Sequence, residues 1–524
     1  MYRSHLFDSF DRLRLFDRYS AFTDLQSLKD FSVRPLRKSL RVNTLKSSVD
    51  EFRVWAQKKG WALTPVLWCK EGFFIERENR EEALGKDLLH LLGHTYMQEA
   101  ASMLPVVLLD PQPGEAVLDM SAAPGSKTTQ IVAKMCPLPL TPSPCGERGS
   151  PLGVLVCNDV QEKRLWTLKN TLHRCGVTNA IVTRKVGQWF GKHMTERFDR
   201  VLIDAPCTAQ GTSRKDSDAL LYCSAENIGK MAKLQRELLE SAIHAAKVGG
   251  TIVYSTCTLT PEENEEVALS LLSKYQDQVE VLDPTEKRLA VSGKRLATLE
   301  QGVQDSLLVQ DFLFHSAPHS SPSAHRFVRL WPHTFDTEGF FCAVLRKTKP
   351  TRPVERMEFI RFQEDEVPLA RSRELGAILE RQYGTSFMEE GERLFQRKDQ
   401  LLLSTQSVAQ FGLTTSNYSL GLPFALRIHS GQARTLEGDR LRLDHEIATL
   451  RGMDATKNAC SLSDSDLDCL LDGKDASCDA QLRGDVLLRY EHLSVGIGLA
   501  KEGKLKNRLP RWVVVKSVIP DSHA

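Results

Sequence analysis

Short runs of consecutive apolar, mostly β-branched residues recur through the middle of the chain, with helix-like stretches between them. These runs lie at residues 117–119, 154–159, 180–183, 200–204 and 251–255. A strand that is buried on both faces of a parallel sheet has this uninterrupted pattern, because neither face meets water. Strands that alternate with helices therefore predict an α/β fold with a doubly wound parallel sheet, which we place at residues 97–348.

Other segments flank or interrupt the predicted sheet. Residues 1–96 predict a small α+β module with a basic strand at 38–46, residues 350–420 a mostly helical connecting module, and residues 421–524 a compact β-rich domain. Two strands in hairpin-like order, at 326–332 and 339–347, should close the sheet. Proline and glycine crowd residues 136–151, so we expect a disordered insertion there.

Composition narrows the class of protein. With 524 residues, of which 41% are hydrophobic, the chain is long enough for two or three globular domains. The first residues contain no uninterrupted apolar run, so we expect no membrane association and a cytoplasmic protein. The 12 cysteines include no Cys-x-x-Cys pair, so we expect reduced thiols and no metal.

The net charge of +2 hides local excesses of positive charge. Residues 1–60 hold 13 Lys/Arg against 7 Asp/Glu, and residues 483–516 hold 8 against 3. Both segments could meet a polyanion, and each could equally be a solvated surface.

A turn of small residues follows the first predicted strand, from Asp119 to Gln130, where backbone amides can approach a ligand at a helix N-terminus. A phosphate-binding Walker loop needs glycine at positions 121 and 126, and both are serine; a G-x-G-x-x-G spacing is absent as well. A cofactor with an adenosine but no phosphates fits better. Asp159, at the end of the second strand, could hold its ribose or cap a helix. This pattern favours S-adenosylmethionine.

Two cysteines, Cys207 and Cys257, each follow the carboxyl end of a strand, where parallel sheets bind ligands. Either could be an inert core residue. Beside a methyl donor, however, a thiolate that adds to C6 of cytosine would make C5 nucleophilic toward the methyl group. Cys257 precedes a predicted helix that opens at Thr260, and a helix N-terminus favours thiolate.

Three motifs carry a family resemblance: Ser121-Ala-Ala-Pro-Gly-Ser-Lys127, Asp204-Ala-Pro-Cys207 and Ser255-Thr-Cys-Thr258. Together they resemble the Sun-type (Fmu) RNA cytosine-C5 methyltransferases, and the resemblance covers about residues 35–348. It implies a Rossmann-like S-adenosylmethionine-dependent methyltransferase sheet. It also implies that Cys257 is the nucleophile, that Cys207 assists product release, and that Asp204 and Lys127 belong to the catalytic site.

The cofactor site that the same resemblance implies consists of Ser121, Ala122, Ala123, Pro124, Gly125, Ser126, Lys127, Asp159, Val186 and Asp204. Val186 departs from the family, which has an acid there facing the adenine of the cofactor. Residues from Leu482 onward resemble the PUA-like module of the RsmF-type subgroup, which methylates small-subunit (16S) ribosomal RNA.

The expected partner is therefore ribosomal RNA, with transfer RNA as the alternative substrate and a non-catalytic RNA-binding protein as the alternative function. We expect a monomer.

Overall fold

The computed structural model describes residues 14–78, 83–136, 153–283, 327–354, 358–428 and 440–514. Apart from Cys136, the predicted insertion at 136–151 lies outside the described residues.

The strands, numbered in chain order, are β1 Ser39–Val42, β2 Ala62–Val66, β3 Cys69–Glu76, β4 Thr95–Tyr96, β5 Ala116–Asp119, β6 Val154–Asn158, β7 Ala180–Thr183, β8 Phe198–Asp204, β9 Ala246–Thr256, β10 Val279–Val281, β11 Val328–Leu330, β12 Phe340–Lys347, β13 Asp365–Glu366, β14 Glu392–Arg397, β15 Gln400–Thr405, β16 Ser419–Leu420, β17 Leu422–Ile428, β18 Arg440–Leu443, β19 Ala459–Ser461, β20 Ala476–Ser477, β21 Gly484–Tyr490, β22 Leu493–Lys501 and β23 Lys504–Asn507. The α-helices are Leu25–Ser32, Val49–Lys58, Leu88–Leu91, Leu104–Leu109, Ser126–Met135, Glu162–Arg174, Gln188–His193, Ala225–Ala245, Glu265–Lys274, Pro332–Phe335, Leu369–Tyr383, Gln406–Gln410, His445–Arg451 and Asp464–Leu471.

The central sheet confirms the predicted α/β fold. Strands β7, β6, β5, β8 and β9 are parallel neighbours in that order, and β12 joins β9 antiparallel, with β10 and β11 beside it. The predicted closing strands are β11 and β12, which pair antiparallel. This order brings the carboxyl ends of five parallel strands to one edge, and the candidate site residues follow those ends.

The N-terminal strands form a separate antiparallel sheet in the order β2, β3, β1, β4. The predicted basic strand is β1, but its Arg41 is buried, so this side chain is not exposed to a polyanion. Its guanidinium donates to Gln98 Oε1 at 2.9 Å and to Thr129 Oγ1 at 2.8 Å. Arg41 therefore ties the N-terminal module to helix Ser126–Met135.

The connecting segment differs from the expectation of a mostly helical module. It contains one long helix, Leu369–Tyr383, but also the five-stranded sheet β13, β14, β15, β17, β18. The hairpin of β14 and β15 turns at Lys398, and β15 pairs with β17. This sheet therefore runs across the division predicted at residue 420. In addition, β16 pairs with β7 and extends the central sheet.

The C-terminal strands form a sheet in the order β19, β21, β22, β23, β20. Its buried side chains, among them Cys460 and Leu493, form one apolar cluster with Phe52 and Trp55 of the N-terminal module. The two ends of the sequence thus share a core. Across the described ranges, no helix is both long and apolar enough to span a membrane.

Candidate active site

The two cysteines that the sequence singles out lie side by side. Cys207 follows β8 and Cys257 follows β9, and these strands are parallel neighbours. The two sulfur atoms are 3.4 Å apart and half-buried. The two thiols therefore converge, as the sequence predicts.

A buried carboxylate, Glu263, joins the two cysteine loops. Its oxygens accept hydrogen bonds from the Thr208 amide at 3.0 Å, from Thr260 Oγ1 at 3.0 Å and from Gln235 Nε2 at 2.8 Å. Thr208 follows Cys207, whereas Thr260 lies three residues beyond Cys257. Glu263 thereby links the loop after Cys207 to the loop after Cys257. Sequence reasoning missed this role, because Glu263 belongs to a segment interpreted only as a helix start.

The helix after Cys257 begins later than predicted. Residues Pro261–Glu263 form a 3-10 turn, and the α-helix begins at Glu265 instead of near Thr260. Glu265 is fully buried and pairs with Arg329 from β11, at 2.6 Å from the guanidinium. The same guanidinium donates to the Leu259 carbonyl at 2.8 Å and so anchors the loop beyond Cys257.

Lys127 and Asp204 form an ion pair beside the thiols. Lys127 Nζ donates to Asp204 Oδ2 at 2.7 Å and to Ser102 Oγ at 2.9 Å, and Ser255 Oγ donates to Asp204 Oδ1 at 3.0 Å. Burial lowers the pKa of Lys127, but the charge and hydrogen bond of Asp204, together with Cys257, more than offset this, and the pKa is raised. Lys127 is therefore a cation at neutral pH, and Cys257 is among the groups that stabilise its charge.

The two thiols differ in their electrostatic surroundings. The hydrogen bond with Cys257, burial and the charge of Glu263 raise the pKa of Cys207 well above its ordinary value. Cys207 therefore keeps its proton, and its Sγ lies 3.4 Å from Cys257 Sγ. Sequence reasoning expected the positive charge at a helix N-terminus; the structure has Lys127 near this thiol.

The small-residue turn joins β5 to helix Ser126–Met135. Gly125 has φ +108°, and a Cβ there would lie 2.8 Å from Thr171 Cγ2, so both conformation and packing require glycine. Ala122 and Ala123 are buried, whereas Ser121 and Ser126 are half-buried and Pro124 is exposed. Burial raises the pKa of Asp119 to about 7, although Thr128 donates to its carboxylate at 2.8 Å.

Asn158, which the sequence did not single out, holds this turn in place. Its carbonyl accepts from the Ala122 amide at 2.7 Å, and its side chain donates to the carbonyls of Met120 and Lys185 at 3.1 and 2.9 Å. One residue thus fixes the ends of three strands, β5, β6 and β7.

Asp159 lies directly after β6 and is buried. Its Oδ1 accepts from the Gln161 amide at 2.9 Å, as in the predicted capping role. Its Oδ2 is buried without a hydrogen-bond partner among the described residues, although Arg164 Nη1 lies 3.3 Å away. An unsatisfied buried carboxylate oxygen fits the hydroxyl of a ribose. Val186 is about half exposed beyond β7, and its carbonyl accepts from Trp189.

A pair of carboxyl groups, Glu99 and Glu338, extends the polar network. The Glu338 amide donates to Glu99 Oε1 at 3.1 Å, and the Ser102 amide donates to Glu99 Oε2 at 3.2 Å. Burial and the neighbouring Glu99 raise the pKa of Glu338 to about 8. The pair reaches Lys127 through Ser102. Within the described ranges, His, Cys, Asp and Glu side chains form no group of three that could hold a metal ion.

Comparisons with known proteins agree with this architecture. Residues 17–100 match the N-terminal domain of 16S rRNA methyltransferase RsmF, residues 106–346 match 16S rRNA methyltransferase RsmB/F, and residues 457–515 match the methyltransferase RsmF PUA domain. Among solved structures, a methyltransferase homologue from Pyrococcus horikoshii has a TM-score of 0.51 and 32% identity, over 66% of this chain and 100% of that one. The chain is thus a Rossmann-like methyltransferase of the Sun type with a C-terminal PUA domain.

Full-length relatives define the family further. The chain is 36% identical over 488 residues to ribosomal RNA small subunit methyltransferase F of Escherichia coli strain SE11, which is 92% of this chain and 91% of the relative. The same figures hold for the protein of that name in Shigella boydii serotype 4. The chain belongs to the ribosomal RNA small subunit methyltransferase F family.

Proposed function

We propose that this protein methylates C5 of a cytosine in small-subunit (16S) ribosomal RNA, through a covalent bond between Cys257 and C6. The observation that carries the proposal is the pair of sulfur atoms 3.4 Å apart, beside the Lys127–Asp204 ion pair. An inert core would place neither a protonated second thiol nor a buried ammonium beside the first.

The proposed reaction has three steps, which are addition, methyl transfer and elimination. The Cys257 thiolate adds to C6 of the cytosine, and C5 then takes the methyl group of a sulfonium donor. A base removes the proton from C5, the C6–sulfur bond breaks, and Cys257 leaves as a thiolate. We infer that Cys207 is the donor in the contact between the two sulfur atoms, 3.4 Å apart. Its S–H and the positive charge of Lys127 would then stabilise the Cys257 thiolate before addition and at release.

Asp204 holds the base and the cofactor in this proposal. Its two oxygens already accept from Lys127 and Ser255, which orients the carboxylate at the carboxyl edge of β8. The target base must leave its stack to reach Cys257, at a cost of a few kcal/mol, and a fixed polar group can then hold its Watson–Crick edge.

S-adenosylmethionine supplies an electrophilic methyl group. We assign it to the turn at residues 121–127, with Asp159 Oδ2 as the acceptor for a ribose hydroxyl. Because residue 186 is a valine, the adenine of the cofactor lacks the acidic partner that the family resemblance implies at this position.

The substrate class is supported by the relatives, which are named as small-subunit ribosomal RNA methyltransferases over almost the whole length of the chain. Transfer RNA remains the comparison substrate, because a PUA-like module can bind either kind of RNA. Tritium transfer from S-adenosylmethionine to transfer RNA but not to ribosomal RNA would reverse the assignment.

The two thiols have opposite expected phenotypes. Cys257→Ala should bind S-adenosylmethionine and transfer no methyl group. Cys207→Ala should form the covalent bond and release it slowly, so protein and RNA should migrate together on a denaturing gel. Cys469→Ala, in the C-terminal module, is the matched control and should behave as wild type. A covalent band from Cys257→Ala and none from Cys207→Ala would exchange the two roles, and wild-type methylation by both variants would refute the thiol mechanism.

A further inference from the structure

A basic cavity lies at the edge of the central sheet, away from the two cysteines. Its volume is about 470 Å³, within the range of ligand sites. One wall consists of Trp166 and Lys169 from helix Glu162–Arg174 with Arg184 and Lys185 beyond β7, and the other contains Arg397 and Tyr418 from the connecting segment.

The two walls of the cavity are held together by hydrogen bonds, so the cavity is part of the folded structure. The Tyr418 amide donates to the Val182 carbonyl at 2.7 Å, next to the pairing of β16 with β7. Asn417 is buried and donates to Glu364 at 2.6 Å, and its own Oδ1 accepts from the Gln363 amide at 3.0 Å. The second wall is therefore held against the sheet by backbone and buried polar contacts.

The charge of the cavity is only partly neutralised. Arg184 pairs with Glu162 at 2.6 Å, and Arg397 lies 3.7 Å from Glu364. Within the described part of the chain, neither Lys169 nor Lys185 has a carboxylate within ion-pair distance. Lys185 Nζ lies 5.4 Å from the centre of the Trp189 ring, and Lys169 is near the Glu446 carboxylate without forming an ion pair, so both ammonium groups can still bind phosphate.

An aromatic side chain accompanies these cations. The Trp166 side chain is 65% exposed, which is unusual for so large an apolar group on a core-facing helix. An exposed aromatic face beside several cations is the combination with which proteins bind single-stranded nucleic acid, where bases stack and phosphates pair. A protein partner would call for a larger apolar patch than one tryptophan provides.

The cavity lies within reach of an RNA strand that also occupies the catalytic edge of the sheet. The Lys185 carbonyl accepts from Asn158, the residue that also holds the turn at Ala122. Four strand intervals separate β9, which carries Cys257, from β7, or about 19 Å at ~4.8 Å per strand. A stacked strand of roughly six nucleotides would cover that distance at ~3.4 Å per nucleotide.

We propose that this cavity binds a single-stranded segment of the substrate RNA, which flanks the target cytosine, with a base stacked on Trp166 and phosphates on Lys169 and Lys185. The proposal rests on the proposed RNA substrate and assigns a place where that RNA is held. It gives the connecting segment a function in substrate binding.

The test measures binding of a fluorescent ribosomal RNA fragment to the full chain at several salt concentrations, without methyl transfer. Lys169→Gln combined with Lys185→Gln should flatten the slope of log affinity against log salt by about 1.4 to 1.8, since each lost phosphate contact accounts for about 0.7 to 0.9. Trp166→Ala should weaken binding about 5- to 20-fold with the slope unchanged, and Trp166→Phe should lose much less.

Arg346→Gln provides the charge control, because Arg346 is about half exposed and lies on β12, near the opposite edge of the same sheet. It should change affinity less than 2-fold. Equal effects of Arg346→Gln and the double lysine variant, or an unchanged salt slope, would overturn the proposal. Displacement of the RNA by millimolar adenosine monophosphate in wild type but not in Trp166→Ala would instead make the cavity a mononucleotide site. Failure of methylation alone would refute the proposed function and leave the binding result intact.

Discussion

The buried ion pair between Arg329 and Glu265 gives the sharpest test of how the catalytic loop is held. Arg329 makes contacts of 2.6, 2.6 and 3.1 Å to the carboxylate and one of 2.8 Å to the Leu259 carbonyl. Arg329→Met retains much of the side-chain volume but leaves Glu265, with no solvent exposure, as a buried charge. Such a loss costs about 3–5 kcal/mol.

Calorimetry of the full chain measures this loss. For a domain of this size, we expect the melting temperature of the methyltransferase domain to fall by roughly 6–20 °C. Arg329→Met combined with Glu265→Met removes both charges and should recover about half of the loss or more, although the Leu259 carbonyl still lacks its donor. Methyl transfer by either variant should be slower than wild type at a temperature where both are folded.

The matched control is Arg346→Met. Arg346 lies 3.7 Å from Glu280, and both side chains are about half exposed, so their pair should contribute at most about 1 kcal/mol. If Arg329→Met costs no more than Arg346→Met, then the buried pair does not hold this loop. A double variant less stable than Arg329→Met would also contradict the reasoning, since the cost would not come from an unpaired charge.

Three further variants test other parts of the site. Glu338 has a pKa raised to about 8 from 4.5, so it binds a proton in the folded state that the unfolded chain has lost; its contribution to stability is complete below pH ~4.5 and disappears as pH rises to about 8. Denaturation of Glu338→Gln across this window should show a slope less negative than that of wild type by up to ~1.4 kcal/mol per pH unit, and parallel curves would mean that Glu338 does not titrate there. Val186→Asp should tighten S-adenosylmethionine binding by ~0.5–1.5 kcal/mol in calorimetry, through a hydrogen bond from the adenine amino group; unchanged binding would show that adenine is recognised elsewhere. Gly125→Ala should lose at least about 1 kcal/mol of stability in denaturation and bind the cofactor more weakly, because alanine is strained at φ +108° and its Cβ meets Thr171; an unaffected protein would mean that the turn can rearrange.

The sequence predicted the part of the site that depends on strand ends. Uninterrupted apolar runs identify parallel strands, and the carboxyl ends of parallel strands share one edge. Cys207 and Cys257 could therefore be placed together without coordinates, whereas Lys127 and Asp204 were assigned to the site through the family resemblance. Asp159 was also placed at a strand end; the structure contains its capping contact with the Gln161 amide, and its contact with a ribose stays a prediction.

The supporting contacts could not be predicted, because they join residues that are distant in the chain. Arg329 and Glu265 are 64 positions apart, and Arg41 and Thr129 are 88 apart. A charged residue in a strand looks the same in sequence whether it meets solvent or a buried partner, so the sequence could not show that Arg41 of the basic strand is buried. The prediction of a mostly helical connecting segment was wrong for a related reason. Its strands β15 and β16 are defined by pairing with β17 and β7, which the sequence does not show.

The shared core of the two chain ends changes what a truncation can reveal. The N-terminal helix Val49–Lys58 packs its Phe52 and Trp55 in the same apolar cluster as Leu493 of β22, and Lys58 pairs with Glu491 at 2.8 Å. Lys46 reaches Thr449 at 3.0 Å, and burial lowers its pKa to about 7. Removal of residues 422–524 would delete the PUA domain, and it would also expose this core and remove Thr449, a hydrogen-bond partner of the buried Lys46. Loss of RNA binding by such a truncation would therefore not separate lost phosphate contacts from a disordered N-terminal module, whereas charge substitutions on the intact chain do, because they leave the common core in place.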